Sequence, residues 1–483
     1  MWAGKGTWCE ETIRVVRQSG FDPPPIVASR RNRTPFPQWT RASCPHPSFL
    51  ESYYTIELLG RTGGQTMVTP FRNLCGGLML ALFILAGGDA MARTVKGVKV
   101  TDRIYMATDM SRTFLVVTPD GNVVIDTTTR DSAPRHYQVL REMSSAPVKY
   151  ILLTHAHEDH VGGVHLWKEE GTEVIAQRRF VEYMHYRERL AGFFQYRNEG
   201  QFLAPPREVK SKGNFAAEIP TTILFDDKYE FEFGGLTFKM MHTPGETWDH
   251  ATVWIPELKA AFIGDNYYSS FPNIAALRGA PPRFALDYVN SIDIVLALDP
   301  ELVLVAHAPP LVGTDEIQSK LGDYRDAIEY VHDATVRGLN EGKGVFTVMN
   351  EVKLPERFEI DESYGGVAWS VRGIYHGYAG WFDGEPATLL SESPDVKTRE
   401  LVELAGGVDA VVKRAEELED EGDLVLSLNM ADAALAVDPN HPGALAVRVS
   451  LLTELGRNEK NFNARSWIGY HRRQAAKRLA AQQ

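Results

Sequence analysis

The chain has 483 residues, 44% of them apolar and 24% charged, the make-up of an ordinary globular protein of two or three domains. Lys and Arg number 51 against 63 Asp and Glu, for a net charge of −12. An acidic chain lacks the positive footprint that phosphate backbones demand, which excludes nucleic acid as the main partner.

The first 92 residues read differently from the rest. Stretches such as "DPPP" and "SRRNRTPFPQW" show no sustained periodicity. Then comes "MVTPFRNLCGGLMLALFILAGGDAMA", Met67 to Ala92. Arg72 supplies a positive start, Leu74 to Ala86 is apolar, and Ala90-Met91-Ala92 is a small-x-small cleavage pattern. The expectation is a signal peptide over 67–92, preceded by a non-native upstream extension over 1–66. The apolar run is too short to span a bilayer comfortably, so no stable membrane span is expected after processing and the product is periplasmic or secreted. Cys9, Cys44 and Cys75 all precede the cut, which leaves the processed chain without a disulfide or a thiolate ligand.

From about 98 the pattern is α/β. "TFLVVTPDGNVVIDTT" (113–128) predicts a hairpin turning at Pro119-Asp120-Gly121-Asn122. A helix ("APRHYQVLREM"), a buried strand ("VKYILLTHAH"), a short strand ("TEVIAQ") and a helix from Arg178 to Asn198 follow. "LTFKMMHTPG" reads as a strand entering a turn, and "HATVWIPELKAAFIGDNYY" as a second hairpin. "DYVNSIDIVLALDP" is a helix and "ELVLVAHAPP" a strand ending at His307. After about 313 only helices are expected: a long amphipathic one to about 342, an aromatic-rich stretch over 364–390, and four more near 408–421, 423–437, 442–456 and 465–480. The last four resemble tetratricopeptide helix pairs.

The chemistry concentrates in "THAHEDHVGG", Thr154 to Gly163. Period-two alternation turns His155 and His157 the same way, and the following turn brings Asp159 and His160 to a second position nearby. Imidazole and carboxylate donors without thiolate suit Zn²⁺, and also Mn²⁺ or Fe²⁺.

The spacing Thr-His-x-His-x-Asp-His-x-Gly-Gly after an apolar strand resembles that of the metallo-β-lactamase superfamily. The resemblance implies an α/β fold: an αββα sandwich as catalytic domain over 93–312, then an all-α region over 313–483. It also implies two Zn²⁺ per chain. The first would be held by His155, His157 and Glu246, the second by Asp159, His160 and His307, with Asp265 bridging. Asp159 and Asp265 are the expected catalytic acids. Glu246 stands where the superfamily usually has histidine, in "HTPGET". That glutamate, the segment "LRGA" and the stretch "GWFDGEPA" resemble the alkylsulfatases within the superfamily. The later helices resemble that family's dimerisation region, which implies a homodimer. By this resemblance Arg278 binds the sulfate and Asn266 supports it. A guanidinium fork also matches sulfate oxygens on physical grounds. Asp265 departs from the family's glutamate, "YYSSFPN" lacks its histidines, and no sterol-carrier-like C-terminal domain is expected.

The function expected is a secreted dinuclear zinc hydrolase that removes sulfate from a small anionic ester. The alternative is an acyl hydrolase acting on a lactone or β-lactam. A mononuclear iron oxygenase and a non-enzymatic module built on the C-terminal helices rank below both.

Overall fold

The computed structural model describes residues 95–202, 219–390 and 393–482. The expected upstream extension and signal peptide lie outside the described residues.

Alternation along the strands sorts the layers. The first sheet holds β1 (Gly97–Lys99), β2 (Ile104–Thr108), β3 (Arg112–Thr118), β4 (Gly121–Ile125), β5 (Val148–Leu152), β6 (Glu173–Gln177) and β7 (Ile223–Phe225), in that order. Strands β1 to β4 are an antiparallel meander, and β4 to β7 run parallel. The second sheet holds β8 (Lys228–Phe233), β9 (Leu236–His242), β10 (Ala251–Ile255), β11 (Ala260–Phe262), β12 (Leu302–Leu304) and β13 (Leu311–Val312), also in order. Here only β11 and β12 pair in parallel, and the helix Ala285–Ala297 supplies their crossover.

Ile104, Met106, Phe114, Val116, Val123 and Ile125 face inward from the first sheet and meet Phe238, Met240, Val253, Ile255 and Phe262 of the second. The alternate residues Ala107, Leu115 and Val124 point outward and pack with Leu140, Trp167 and Phe180 of covering helices. On the far side Ile292, Ile317, Ile328 and Val371 cover the second sheet. The result is the expected helix–sheet–sheet–helix sandwich.

The first expected hairpin forms as β3 and β4 and the second as β10 and β11. The helix expected from Arg178 is two, Arg179–Arg189 and Ala191–Phe202, broken where Leu190 leaves helical dihedrals. Strand β8 goes beyond the elements expected. Its alternating Lys-Tyr-Glu-Phe-Glu-Phe places charge on the solvent face of a sheet edge, which protects that edge. Past Gly313 lie helices, the longest Thr314–Asn340. The last three begin on side-chain caps: Asp423 accepts from Leu426 N, His441 from Ala444 N and Asn461 from Ala464 N. No helix of the described residues is long and apolar enough to cross a membrane.

Candidate metal centre

Strand direction decides where the ligand side chains meet. β10 is antiparallel to both β9 and β11, and β12 is parallel to β11, so β9, β11 and β12 all end at one edge. Glu246 follows β9, Asp265 follows β11 and His307 follows β12. The loop after β5 carries His155 to His160 to the same edge from the other sheet, where Ala251 N donates to Thr154 O at 2.7 Å. Gly264 makes the approach of Asp265 feasible. It has φ +48°, and a Cβ there would lie 2.6 Å from His250 Nε2.

All seven expected ligand residues converge. His155 Nε2 lies 2.9 Å from His157 Nδ1 and 3.8 Å from Asp265 Oδ2, and Glu246 Oε1 lies 3.6 Å from His157 Nδ1. On the other side of Asp265, Oδ1 is 3.3 Å from His160 Nε2 and 3.4 Å from His307 Nε2. Asp159 Oδ2 closes this second group, 3.1 Å from His307 Nε2 and 3.6 Å from His160 Nε2. Asp265 thus presents one oxygen to each group. Side-chain exposures of 21% for His307 and 25% for Asp159 put the opening on this side.

The outer partners turn the imidazole lone pairs inward. His155 Nδ1 donates to Thr154 Oγ1 at 3.1 Å, and Thr154 Oγ1 in turn donates to Asp126 Oδ2. His160 Nδ1 donates to Asp126 Oδ2 at 2.8 Å, and His307 Nδ1 to Met110 O at 2.9 Å. Tyr183 Oη, 3.0 Å away, accepts from His157 Nε2 and leaves Nδ1 bare. Such outer bonds fix tautomers for cation binding. His160 Nε2 and Asp265 Oδ1 are buried without a hydrogen-bond partner, which is costly unless a cation meets them. The donor set therefore fits a pair of divalent ions bound through nitrogen and oxygen.

Electrostatics agree. Burial opposes charge on His160, but Asp265, Asp126 and Asp159 outweigh it and hold its pKa well above the usual imidazole range. His307 is raised to about 10 against burial, by Asp265 and Asp159. The second group thus draws positive charge. His155 and His157 are held well below the usual range by burial. Burial pushes the Glu246 carboxyl up to about 7, although Arg283 pairs with it and Tyr288 Oη donates to it at 2.8 Å.

Arg278 is half-buried, with Nη2 3.3 Å from His157 Nε2. Both atoms are donors in the tautomer above, so this contact is no hydrogen bond. No carboxylate pairs with Arg278 among the described residues. A second guanidinium, Arg187, stacks 4.6 Å from the Phe194 ring and bonds Tyr183. Burial and then the Arg278 charge lower its pKa. Two guanidinium groups together beside the candidate ligands make a place for an anion.

Asn266, expected to support the sulfate, lies against the turn that carries Glu246. Its Nδ2 donates to Thr243 O at 2.8 Å and its Oδ1 accepts from Glu246 N at 3.1 Å. The amide fixes the turn that presents Glu246. Asp126, Tyr183, Arg187, Tyr268, Arg283 and Tyr288 were not expected at the site. Asp126 follows an apolar strand just as Asp265 does, so "VVID" beside "FIGD" was a usable signal. His250 Nδ1 donates to Thr243 O and its Nε2 accepts from Asp265 N, while burial lowers its pKa to about 3.

A two-sheet sandwich with every candidate ligand loop at one edge defines a candidate metal centre of the metallo-β-lactamase type. The family model for the metallo-beta-lactamase superfamily matches residues 107–307, and that for alkyl sulfatase dimerisation matches residues 347–478. The chain carries both segments and is homologous to the linear primary-alkylsulfatases. A linear primary-alkylsulfatase from a Pseudomonas strain is 28% identical over 380 residues, covering 73% of this chain and 72% of that one. The alkyl/aryl-sulfatase BDS1 of Saccharomyces cerevisiae is 26% identical over 392 residues, covering 74% and 60%. The stereoselective inverting sec-alkylsulfatase Pisa1 from Pseudomonas shares the fold, with a TM-score of 0.71 at 22% identity over 80% of this chain and 65% of that one. The chain thus spans less than two thirds of the length of the latter two.

Proposed function

We propose that the protein is a secreted dinuclear zinc hydrolase that cleaves small sulfate esters, taking up water and giving an alcohol and hydrogen sulfate. The observation that carries this reading is Arg278, a guanidinium with no carboxylate partner among the described residues, 3.3 Å from the ring of a candidate ligand. The named homologues act on alkyl sulfates. Two zinc ions held by His155, His157 and Glu246, by Asp159, His160 and His307, and by Asp265 between them would supply Lewis acidity and bring the pKa of a water near neutrality. Arg278 binds the sulfate oxygens in a fork, and Arg187 adds positive potential behind it. Tyr268 Oη donates to Asp265 Oδ2 at 2.8 Å and steadies the bridging carboxylate.

Purified protein with measured zinc, assayed on sulfate esters, lactones and β-lactams, tests the class. Arg278→Ala is expected to lower sulfate-ester kcat/KM by about a hundredfold or more while leaving zinc content intact. Equal turnover by the variant, or activity confined to lactones or β-lactams, rejects the sulfatase reading. Export with cleavage after Ala92 is part of the proposal, and sequencing the N-terminus of secreted protein decides it. A homodimer is supported by the dimerisation match and by the segment 377–390, which is exposed throughout and carries Trp381 at 69%. Sedimentation is expected to give twice the chain mass.

A further inference from the structure

We propose that Arg197 and Trp467 are positioning residues that hold the Leu277–Arg278 segment, so that the last helix of the chain sets the anion-binding arginine of its own site. This rests on the role given to Arg278 above.

The helices Ala191–Phe202 and Phe462–Ala480 pack on each other. Between them the Arg197 guanidinium lies 5.0 Å from the Trp467 ring and 5.6 Å from the Phe193 ring. Its Nη2 donates to the carbonyl of Leu277, the residue before Arg278. No carboxylate pairs with Arg197 among the described residues. A planar cation between aromatic faces keeps both its place and its orientation. Gly200 lets the indole lie flush on the first helix, since a Cβ there would sit 2.3 Å from Trp467. Arg278 has no acid of its own to hold it, so the anchor of its backbone decides where its fork sits. Ångström-scale errors at such a group reduce binding and rate sharply. Trp467 falls within the segment matched to alkyl sulfatase dimerisation. That segment thus contributes to the substrate pocket in its own chain.

The test uses zinc-loaded full chain and the variants Trp467→Ala, Trp467→Phe and Arg197→Ala. It reads KM and kcat on a sulfate ester, inhibition by inorganic sulfate, zinc content, and hydrogen exchange of residues 274–281. Both alanine variants are expected to raise KM and the sulfate inhibition constant about tenfold. Their kcat stays within about threefold, zinc remains full, and exchange quickens locally at 274–281. Trp467→Phe is expected to restore most of the affinity. Unchanged exchange at 274–281 in Trp467→Ala overturns the proposal. So does a general rise in exchange with loss of zinc, which marks a merely structural role. Should the wild type cleave no sulfate ester, the sulfatase reading fails, and hydrogen exchange at 274–281 still decides the brace.

Discussion

Each imidazole at the centre has its outward nitrogen held by a neighbour outside it. Asp126, Met110, Thr154 and Tyr183 occupy the outward nitrogens, so the inward ones are bare or hold a proton in place of a cation. Because His160 and His307 are raised, zinc entering the second group must displace protons from both. Apparent zinc affinity is therefore expected to rise with pH between 6 and 9, by roughly tenfold per pH unit for each proton displaced. Titration calorimetry in buffers of different ionisation enthalpy counts those protons, and a pH-independent affinity would contradict the assignment. His136 offers an independent acid response. It is fully buried, its Nδ1 meets Thr113 Oγ1 at 3.1 Å, and burial lowers its pKa to about 4. The unfolded chain takes up a proton below about 6.5 and the folded chain does not, so stability is full above that pH and falls toward 4. Between pH 6.5 and 5 the loss is about 1.5 kcal/mol. Urea unfolding of wild type and His136→Gln at both pH values should show the difference between them shrinking by that amount.

Strands and loops explain what could be read from the sequence alone. The motif from Thr154 to Gly163 is contiguous, so its spacing alone displayed four candidate ligands. Glu246, Asp265 and His307 each follow an apolar strand, a pattern that locates a residue at a strand end. Arg187, Tyr183 and Tyr288 lie within helices, where function leaves no periodic trace, and only packing brings them to the edge. The hold of Asn266 on the Glu246 turn was not legible, because a sequence does not show which backbone groups an amide meets. Strand β8 went unseen because its charged alternation is that of an edge. Between the sheets Phe262 is 1% exposed and packs edge-on against Phe114 at 5.2 Å. Phe262→Ala is expected to destabilise the protein by about 3–5 kcal/mol, which denaturant midpoints would show. It also undermines the strand that carries Asp265.

At the scale of the whole molecule, the helices past Gly313 were legible as helices because their amphipathic spacing is local, whereas the reach of the last of them to the segment before Arg278 was not. Trp467 is 270 residues from Arg197 along the chain, and only the folded packing reveals the contact. The described residues place the second sheet between the first and the helices Thr314–Asn340 and Val367–Ala379, so the helical region is continuous with the core of the sandwich.

His155 to His160 belong to one sheet, while Glu246, Asp265 and His307 belong to the other. A bound cation pair would therefore act as a rivet between two layers whose shared interior is apolar packing. Thermal midpoints are expected to climb with zinc concentration and to drop on chelation, as linkage requires. A substitution that lets the layers slip, even one far from the edge, should announce itself first as leaking metal.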